Sequence, residues 1–224
     1  VSFRERAFEK TGMFSRFPNA PASIQKLPVD QRGFPVPFFV QWIDGEPDFR
    51  VTRRDAMTAC VKRDLCWICG QPLGRMKSFA IGPMCAVNRV SAEPPSHPPC
   101  ARFAAEACPF LSRPLAKRPG TADLEERFGE VIRGEGALPH NPGVTLVWHT
   151  LRYSLFFTST TMFQLGAPQR VEWFREGRAA TRAEALDGMN LGLPKLREVA
   201  ESEGAEATAQ LQRQLQRAMK LLPA

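Results

Sequence analysis

The sequence has no uninterrupted apolar run long enough to cross a membrane. Its most apolar stretch, Val144–Phe157, is broken by His149 and Arg152. No apolar signal core follows the first residues, which carry Arg4, Glu5, Arg6 and Glu9, so no membrane partner and a cytoplasmic location are expected. Several catalytic signatures are also missing: there is no Walker loop, no GxGxxG after a strand, no GxSxG and no HExxH. No internal repeat is present. The C-terminal half contains no cysteine at all, which argues against a disulfide scaffold, whose staples would be spread through a small secreted domain.

What is present is concentrated. All six cysteines, Cys60, Cys66, Cys69, Cys85, Cys100 and Cys108, fall in one quarter of the 224 residues. Clustered cysteines in a cytosolic chain more often bind metal than form disulfides. The charge is equally uneven. Residues 51–120 hold eleven Lys/Arg and four acids, an excess that equals the whole formal net charge of +7. Cysteine cluster and positive charge share a segment, which points to an anionic partner there. With 43% hydrophobic residues the chain can build a real core, as one large or two small domains.

Local patterns divide the chain. Residues 1–33 are polar and proline-spotted and read as an irregular N-terminal arm. "VPFFVQWIDGEPDFRVT" reads as strand, Asp44-Gly45 turn, strand. Thr52, with Asp55 three residues on, is placed to cap a helix running to about Arg63. The metal-type segment spans Leu65–Pro114, and a basic, proline-rich linker at Ala116–Gly120 marks a boundary. The expected units are therefore 34–118, a hairpin, helix and zinc module, and 119–224, an antiparallel sheet with helices. In the second unit "GVTLVWHTLRYSLFF" reads as a strand, and "TMFQLG" and "RVEWF" as two more. "TRAE" at Thr181–Glu184 matches a capping box, and Pro194 suits the first turn of a following helix. Leu211, Leu215, Ala218, Met219 and Leu222 line one helical face, read as docked on the chain's own sheet.

The chemistry lies in two ligand pairs of equal spacing. In "CWICGQPLG", Cys66 and Cys69 enclose two residues, and Gly70 permits the backbone angle a tight metal knuckle needs. In "SHPPC", His97 and Cys100 have the same spacing. Pro99 can occupy a first helical turn at no hydrogen-bond cost, which leaves Cys100 at the positive end of a helix dipole, where a thiolate is favoured. A knuckle followed by a ligand pair opening a helix resembles a treble-clef zinc finger, with Lys77–Ile81 in the hairpin between. The expected centre is one closed, structural Zn²⁺ held by Cys66, Cys69, His97 and Cys100. Alternatives remain. Cys85 or Cys108 could replace His97, four thiolates would suit an iron–sulfur cluster, and a lone Cys-x-x-Cys can be a redox pair. Otherwise Cys60, Cys85 and Cys108 read as small core residues.

Among the basic residues, Arg75, Lys77, Arg89 and Arg102 are the candidates for a single face contacting nucleic acid. Asn88 and Arg89 offer an amide and a guanidinium to a phosphate or base, or merely cap a turn. Arg89, His149, Arg152 and Tyr153 are the candidates for an enzymatic cleft, although no nucleophile motif accompanies them. His140, in "PHNPG", reads as a loop residue.

At "RGFPVPFFVQW", "CWICGQPLG", "GPMCAVNR", "SAEPPSHPPC", "CPFL" and "EGRAATRAE" the chain resembles a group of uncharacterised proteins of bacteria and their phages or prophages. The resemblance covers most of the chain from about Arg32. It implies a bacterial or phage intracellular setting and carries no activity. HNH endonucleases also build on treble-clef fingers, but this chain departs from them: no Asp-His pair precedes the finger helix, and His97 is committed to the metal. The sequence thus reads as an α+β protein, a treble-clef-like zinc module with a small antiparallel sheet and C-terminal helices. It is expected to bind nucleic acid or another polyanion. An enzyme acting on a nucleotide-like substrate and a protein-interaction adaptor are the alternatives.

Overall fold

The computed structural model describes residues 16–114, 120, 122–128 and 141–224. It is α+β, with every strand pair antiparallel. The first hairpin joins β1 (Val40–Ile43) and β2 (Glu46–Thr52). Asp44 and Gly45 both take positive φ, 51° and 82°, the turn whose twist matches the flanking strands. Helix α2 (Ala56–Arg63) begins later than Thr52 would place it. Thr52 is still paired in β2, Asp55 is the cap residue, and neither side chain caps. A single turn, α1 (Ala22–Gln25), precedes the hairpin.

The main sheet has four strands in the order β3-β5-β8-β9: Lys77–Ile81, Thr145–Thr150, Pro168–Arg175 and Arg178–Ala179. All six residues of β5 are buried. Its alternating side chains serve two layers. Val147, with Ala80 and Phe174, meets Ala101 and Ala105 of α4 (Pro98–Ala107). Leu146 and Trp148, with Phe79 and Ile81, face the larger core. Two short helices, α5 (Pro109–Ser112) and α6 (Ala122–Phe128), follow α4. The larger core is closed by α3 (Pro83–Asn88), α7 (Arg182–Glu203) and α8 (Ala205–Met219). Full burial of large side chains such as Phe79, Phe163 and Leu146 stabilises the fold by about 1.5–3 kcal/mol each. The boundary expected near 116–120 falls largely outside the described residues. On either side of it the chain returns to the same sheet, since β3 pairs with β5 over five residues.

The run read as one strand from Gly143 is two. The chain leaves β5 after Thr150 and re-enters as β6 (Tyr153–Phe157) in a second sheet, ordered β4-β7-β6, with β4 at Val90–Ser91 and β7 at Thr161–Leu165. The Thr150 hydroxyl donates to the carbonyls of Arg152 and Ala167 and fixes this corner. The capping box forms: Thr181 Oγ1 accepts from the Glu184 amide at 3.3 Å, and Glu184 Oε2 accepts from the Thr181 amide at 2.9 Å. Pro194 does not start a helix but lies inside the 22-residue α7, where its missing N–H leaves one turn without its bond. Gly188 of α7 lies so close to Val144 that a Cβ would collide with it, so the helix can approach the sheet only there without a side chain. Leu211, Ala218 and Leu222 are buried against the main core with Leu215 packed beside them, while Met219 is exposed.

Candidate metal centre

The knuckle forms from local hydrogen bonding. Leu65 and Pro72 form an antiparallel bridge, the Cys66 amide donates to Gln71 O at 2.8 Å, and the Gly70 amide donates to Cys66 O at 2.8 Å. Gly70 sits at φ +69°, which a glycine adopts without cost, and the Phe38 ring lies directly against it. The second pair is placed by the sheet. Ser78 of β3 and Ser96 exchange both backbone hydrogen bonds, 2.9 and 2.7 Å. His97 then follows as the extended N-cap of α4, with Pro98 and Pro99 in the first turn and Cys100 after them.

The ligand atoms of Cys66, Cys69, His97 and Cys100 all lie within 4.8 Å of one another. His97 Nδ1 is 3.3 Å from Cys69 Sγ and 3.8 Å from Cys100 Sγ. Two ligands bound tetrahedrally to one ion at typical metal–nitrogen and metal–sulfur lengths would be about 3.5–3.8 Å apart. The group therefore suits one ion. The Pro72 carbonyl lies 2.9 Å from His97 Nε2, so that nitrogen carries the hydrogen and donates it. The Nδ1 lone pair is left facing the thiols, the usual way a second interaction fixes a ligand's tautomer. Cys66 Sγ accepts from the amides of Cys69 and His97, each at 3.4 Å. A hydrogen bond from the Cys100 thiol, then one from Cys69, then these amides hold the Cys66 thiol well below its ordinary range. The matching cost appears at Cys100, whose pKa is raised chiefly by the same contact with Cys66. Of the three thiols, Cys66 is thus favoured as the thiolate, while Cys69 and Cys100 are raised.

The remaining cysteines lie elsewhere. Cys85 packs against the main core on α3, and burial pushes its thiol up to about 11. Cys60 sits in a small cluster with Trp67 and Leu65, and burial pushes it up to about 12. Cys108 ends α4. Neither Cys85 nor Cys108 replaces His97 in the four-residue group. The segment between the ligand pairs is not a simple hairpin. It runs β3, α3, β4, and the long partner of β3 is β5.

The enzymatic candidates do not converge. His149 points to the α4 side of the sheet: Ser78 Oγ lies 2.8 Å from its Nδ1 and Glu172 Oε1 2.9 Å from its Nε2. Burial holds the imidazole below its ordinary value, only partly offset by Glu172. Tyr153 is on the other side of the sheet, in ring contact with Phe79 and Phe163. The Arg89 guanidinium is on that side too, 5.6 Å over the Trp148 ring. Arg152, exposed, stands at the corner between β5 and β6. His140 lies outside the described residues.

The four basic candidates are likewise spread. Lys77 Nζ is 2.5 Å from Asp64. Arg102 binds Glu106 and Glu172 and lies on the α4 side, opposite Arg89. Asn88 takes the capping role, its Oδ1 accepting from the Val90 amide at 3.0 Å. Arg75 and Arg102 are exposed, while Lys77 and Arg89 are half-buried. Sequence reasoning missed two features of the surroundings: the buried Ser78–His149–Glu172 chain and Ser23, whose Oγ is 3.2 Å from Cys100 Sγ. Cross-strand register carries the first, and nothing in local periodicity signals the second. No helix of the described residues is long and apolar enough to cross a membrane. Compared with known proteins, the chain matches no family model, no curated protein and no solved structure.

Proposed function

We propose that the protein is a zinc-stabilised module that binds nucleic acid or another polyanion along the edge of its knuckle. The observation that carries this reading is that Lys62 and Arg63 end α2 beside the segment that leads out of the knuckle to Arg75. All three are exposed, and none has an ion-pair partner among the described residues. The Leu73 amide donates to Asp64 O at 2.7 Å, which brings the strand leaving the knuckle against the end of α2. Lys77 is occupied by Asp64 and tied to the same place. The binding edge therefore differs from the face expected from the sequence, of which only Arg75 and Lys77 lie here. Phosphates reward such charge without regard to sequence.

Three thiolates and an imidazole favour zinc over harder cations, and four protein ligands make the site closed and structural. A separation of at most 4.8 Å accommodates one ion and leaves no room for a multi-iron cluster with its bridging sulfides. The cytoplasmic setting and the bacterial or phage origin belong to the same reading. They are supported by six free cysteines and by the sequence resemblance. A protein-binding role has one observation in its favour, the exposed Leu155 and Phe157 on edge strand β6.

Elemental analysis of protein purified without added metal is expected to give one zinc per chain. Titration of duplex DNA at several salt concentrations is expected to show log K falling against log[salt] with a slope of about −3 for three phosphate contacts. Replacing Lys62, Arg63 and Arg75 together by Ala removes most of that slope, while Arg102→Ala leaves it nearly unchanged. Absence of DNA and RNA binding at low salt would overturn the polyanion reading and shift the weight to the protein-binding role.

A further inference from the structure

We propose that residues 16–36 form a metal-dependent latch, in which Ser23 donates a hydrogen bond to the metal-bound Cys100 thiolate and docking of the segment and binding of the ion stabilise each other. The proposal rests on the metal centre described above.

The donors to Cys66 come from the ligand segments themselves, the amides of Cys69 and His97. Cys100 is served differently. Its sulfur lies 3.2 Å from Ser23 Oγ, a residue 77 positions earlier in the chain. Between a thiol and a hydroxyl either group can donate. Once Cys100 coordinates an ion it carries no proton, and Ser23 becomes the donor to a charged acceptor. Hydrogen bonds to ionised acceptors are roughly twice as strong as neutral ones. The contact therefore gains strength when metal binds.

Apart from apolar packing, the segment is held to the hairpin by the Arg32 guanidinium, 5.6 Å over the Phe49 ring. Helix α1 is a single turn of four residues, too short to persist alone. Its other polar side chains turn inward: Gln25 Nε2 donates to the carbonyls of Pro18 and Ala20, and Asp30 accepts from Arg32 and the Phe34 amide. What attaches it is an apolar contact in which Ala20, Ile24, Phe17 and Leu27 pack on Cys66, Ile68, Cys69, Cys100, Phe103 and Leu73. Three of those partners are metal ligands. Ile24 is 1% exposed and Cys100 0%, both within this one cluster. A knuckle that loses its ion loses the surface on which Ile24 rests. By reciprocity, a segment that favours the metal-bound form must tighten the metal by the same factor.

The test uses the full chain and Zn²⁺ alone. Competition against a chromophoric chelator is expected to show zinc held about 10-fold less tightly in Ser23→Ala, in line with the loss of an outer hydrogen bond to a ligand, with Ser23→Thr restoring most of it. In the cobalt-substituted protein, Ser23→Ala is expected to shift the sulfur-to-metal charge-transfer band, which a purely packing role would leave in place. Trypsin is expected to cut at Lys26 and Arg32 slowly in the zinc form and quickly after chelation. A chain that binds zinc but shows no change in affinity or band in Ser23→Ala, and equal cleavage with and without metal, overturns the latch alone. A chain that takes up no zinc overturns the metal reading and the latch with it.

Discussion

Replacing Gly70 by Ala tests the knuckle at its tightest point. Gly70 has φ +69°, where an L side chain costs about 1–2 kcal/mol. A Cβ there would stand 2.5 Å from Phe38 Cδ2 and 2.9 Å from Cγ, against a comfortable carbon–carbon contact of about 3.5–4.0 Å. The ring must retreat by roughly 1 Å, and overpacking of this kind costs about 1–3 kcal/mol. Phe38 is not free to move. Its amide donates to Ile68 O at 2.7 Å, and the Arg53 guanidinium lies 4.1 Å over its ring. It is only half-buried, however, and can swing outward, so the lower part of the combined range applies, about 2–3.5 kcal/mol. If that cost falls on the metal-bound form, zinc affinity drops roughly 30- to 300-fold. Chelator competition on wild type, Gly70→Ala and the double variant with Phe38→Leu separates the two causes. The smaller leucine relieves the contact but not the backbone, so the double variant keeps a loss of about 5- to 30-fold. An affinity of Gly70→Ala within about threefold of wild type would refute the reasoning, because neither the left-handed backbone nor the ring contact could then matter to the bound state.

Two further outcomes are expected. Burial holds the His149 imidazole below its ordinary value of 6.5, with Glu172, Arg170, Arg102 and Ser78 around it. The unfolded chain therefore takes up the proton first, and the stability contributed by neutral His149 is full above pH 6.5 and is lost as pH falls below it. Urea melts should show His149→Gln with a flatter dependence below pH 6.5, and identical slopes in the two proteins would count against the buried network. Thr181→Ala removes the cap of α7 and should cost about 1 kcal/mol, lowering Tm by about 2–4 °C in a thermal melt. No shift would mean that the box adds nothing to the helix.

The four-residue group that could hold a metal ion was legible because its chemistry is local. Cys66/Cys69 and His97/Cys100 repeat one spacing, and glycine and prolines mark the turn and helix start that each pair needs. The "TRAE" cap and the Asp44-Gly45 turn were readable for the same reason, since their hydrogen bonds close within four residues. Errors arose where the answer was set by distant partners. Residues 143–157 are rich in β-branched and aromatic side chains from end to end, and nothing in that run announces that Thr150 ties the corner to Ala167 and sends the chain into another sheet. Pro194 carries a local preference for a helix start that packing of α7 overrides. The surroundings of the basic residues are set in the same way: besides Glu106 on its own helix, Arg102 pairs with Glu172, 70 positions away and adjacent only through the sheet. The polar arm hid Ile24, one buried side chain without periodic companions.

The position of β5 bears on how the protein can be made. All four ligands have been synthesised once residue 100 is added, yet β3, which presents Ser96 and hence His97, lacks its long partner until residues 145–150 appear. A nascent chain thus has its ligands ready while the sheet that orients half of them has an open edge. If the group takes an ion, metal capture and sheet completion would be separated in time during translation, and an ion bound early would organise the knuckle before the scaffold is finished. For the same reason the ligand segment is a poor candidate for excision as a free-standing finger. A fragment ending at residue 114 would expose the edge of β3 and the apolar underside of α4 to any strand that comes by.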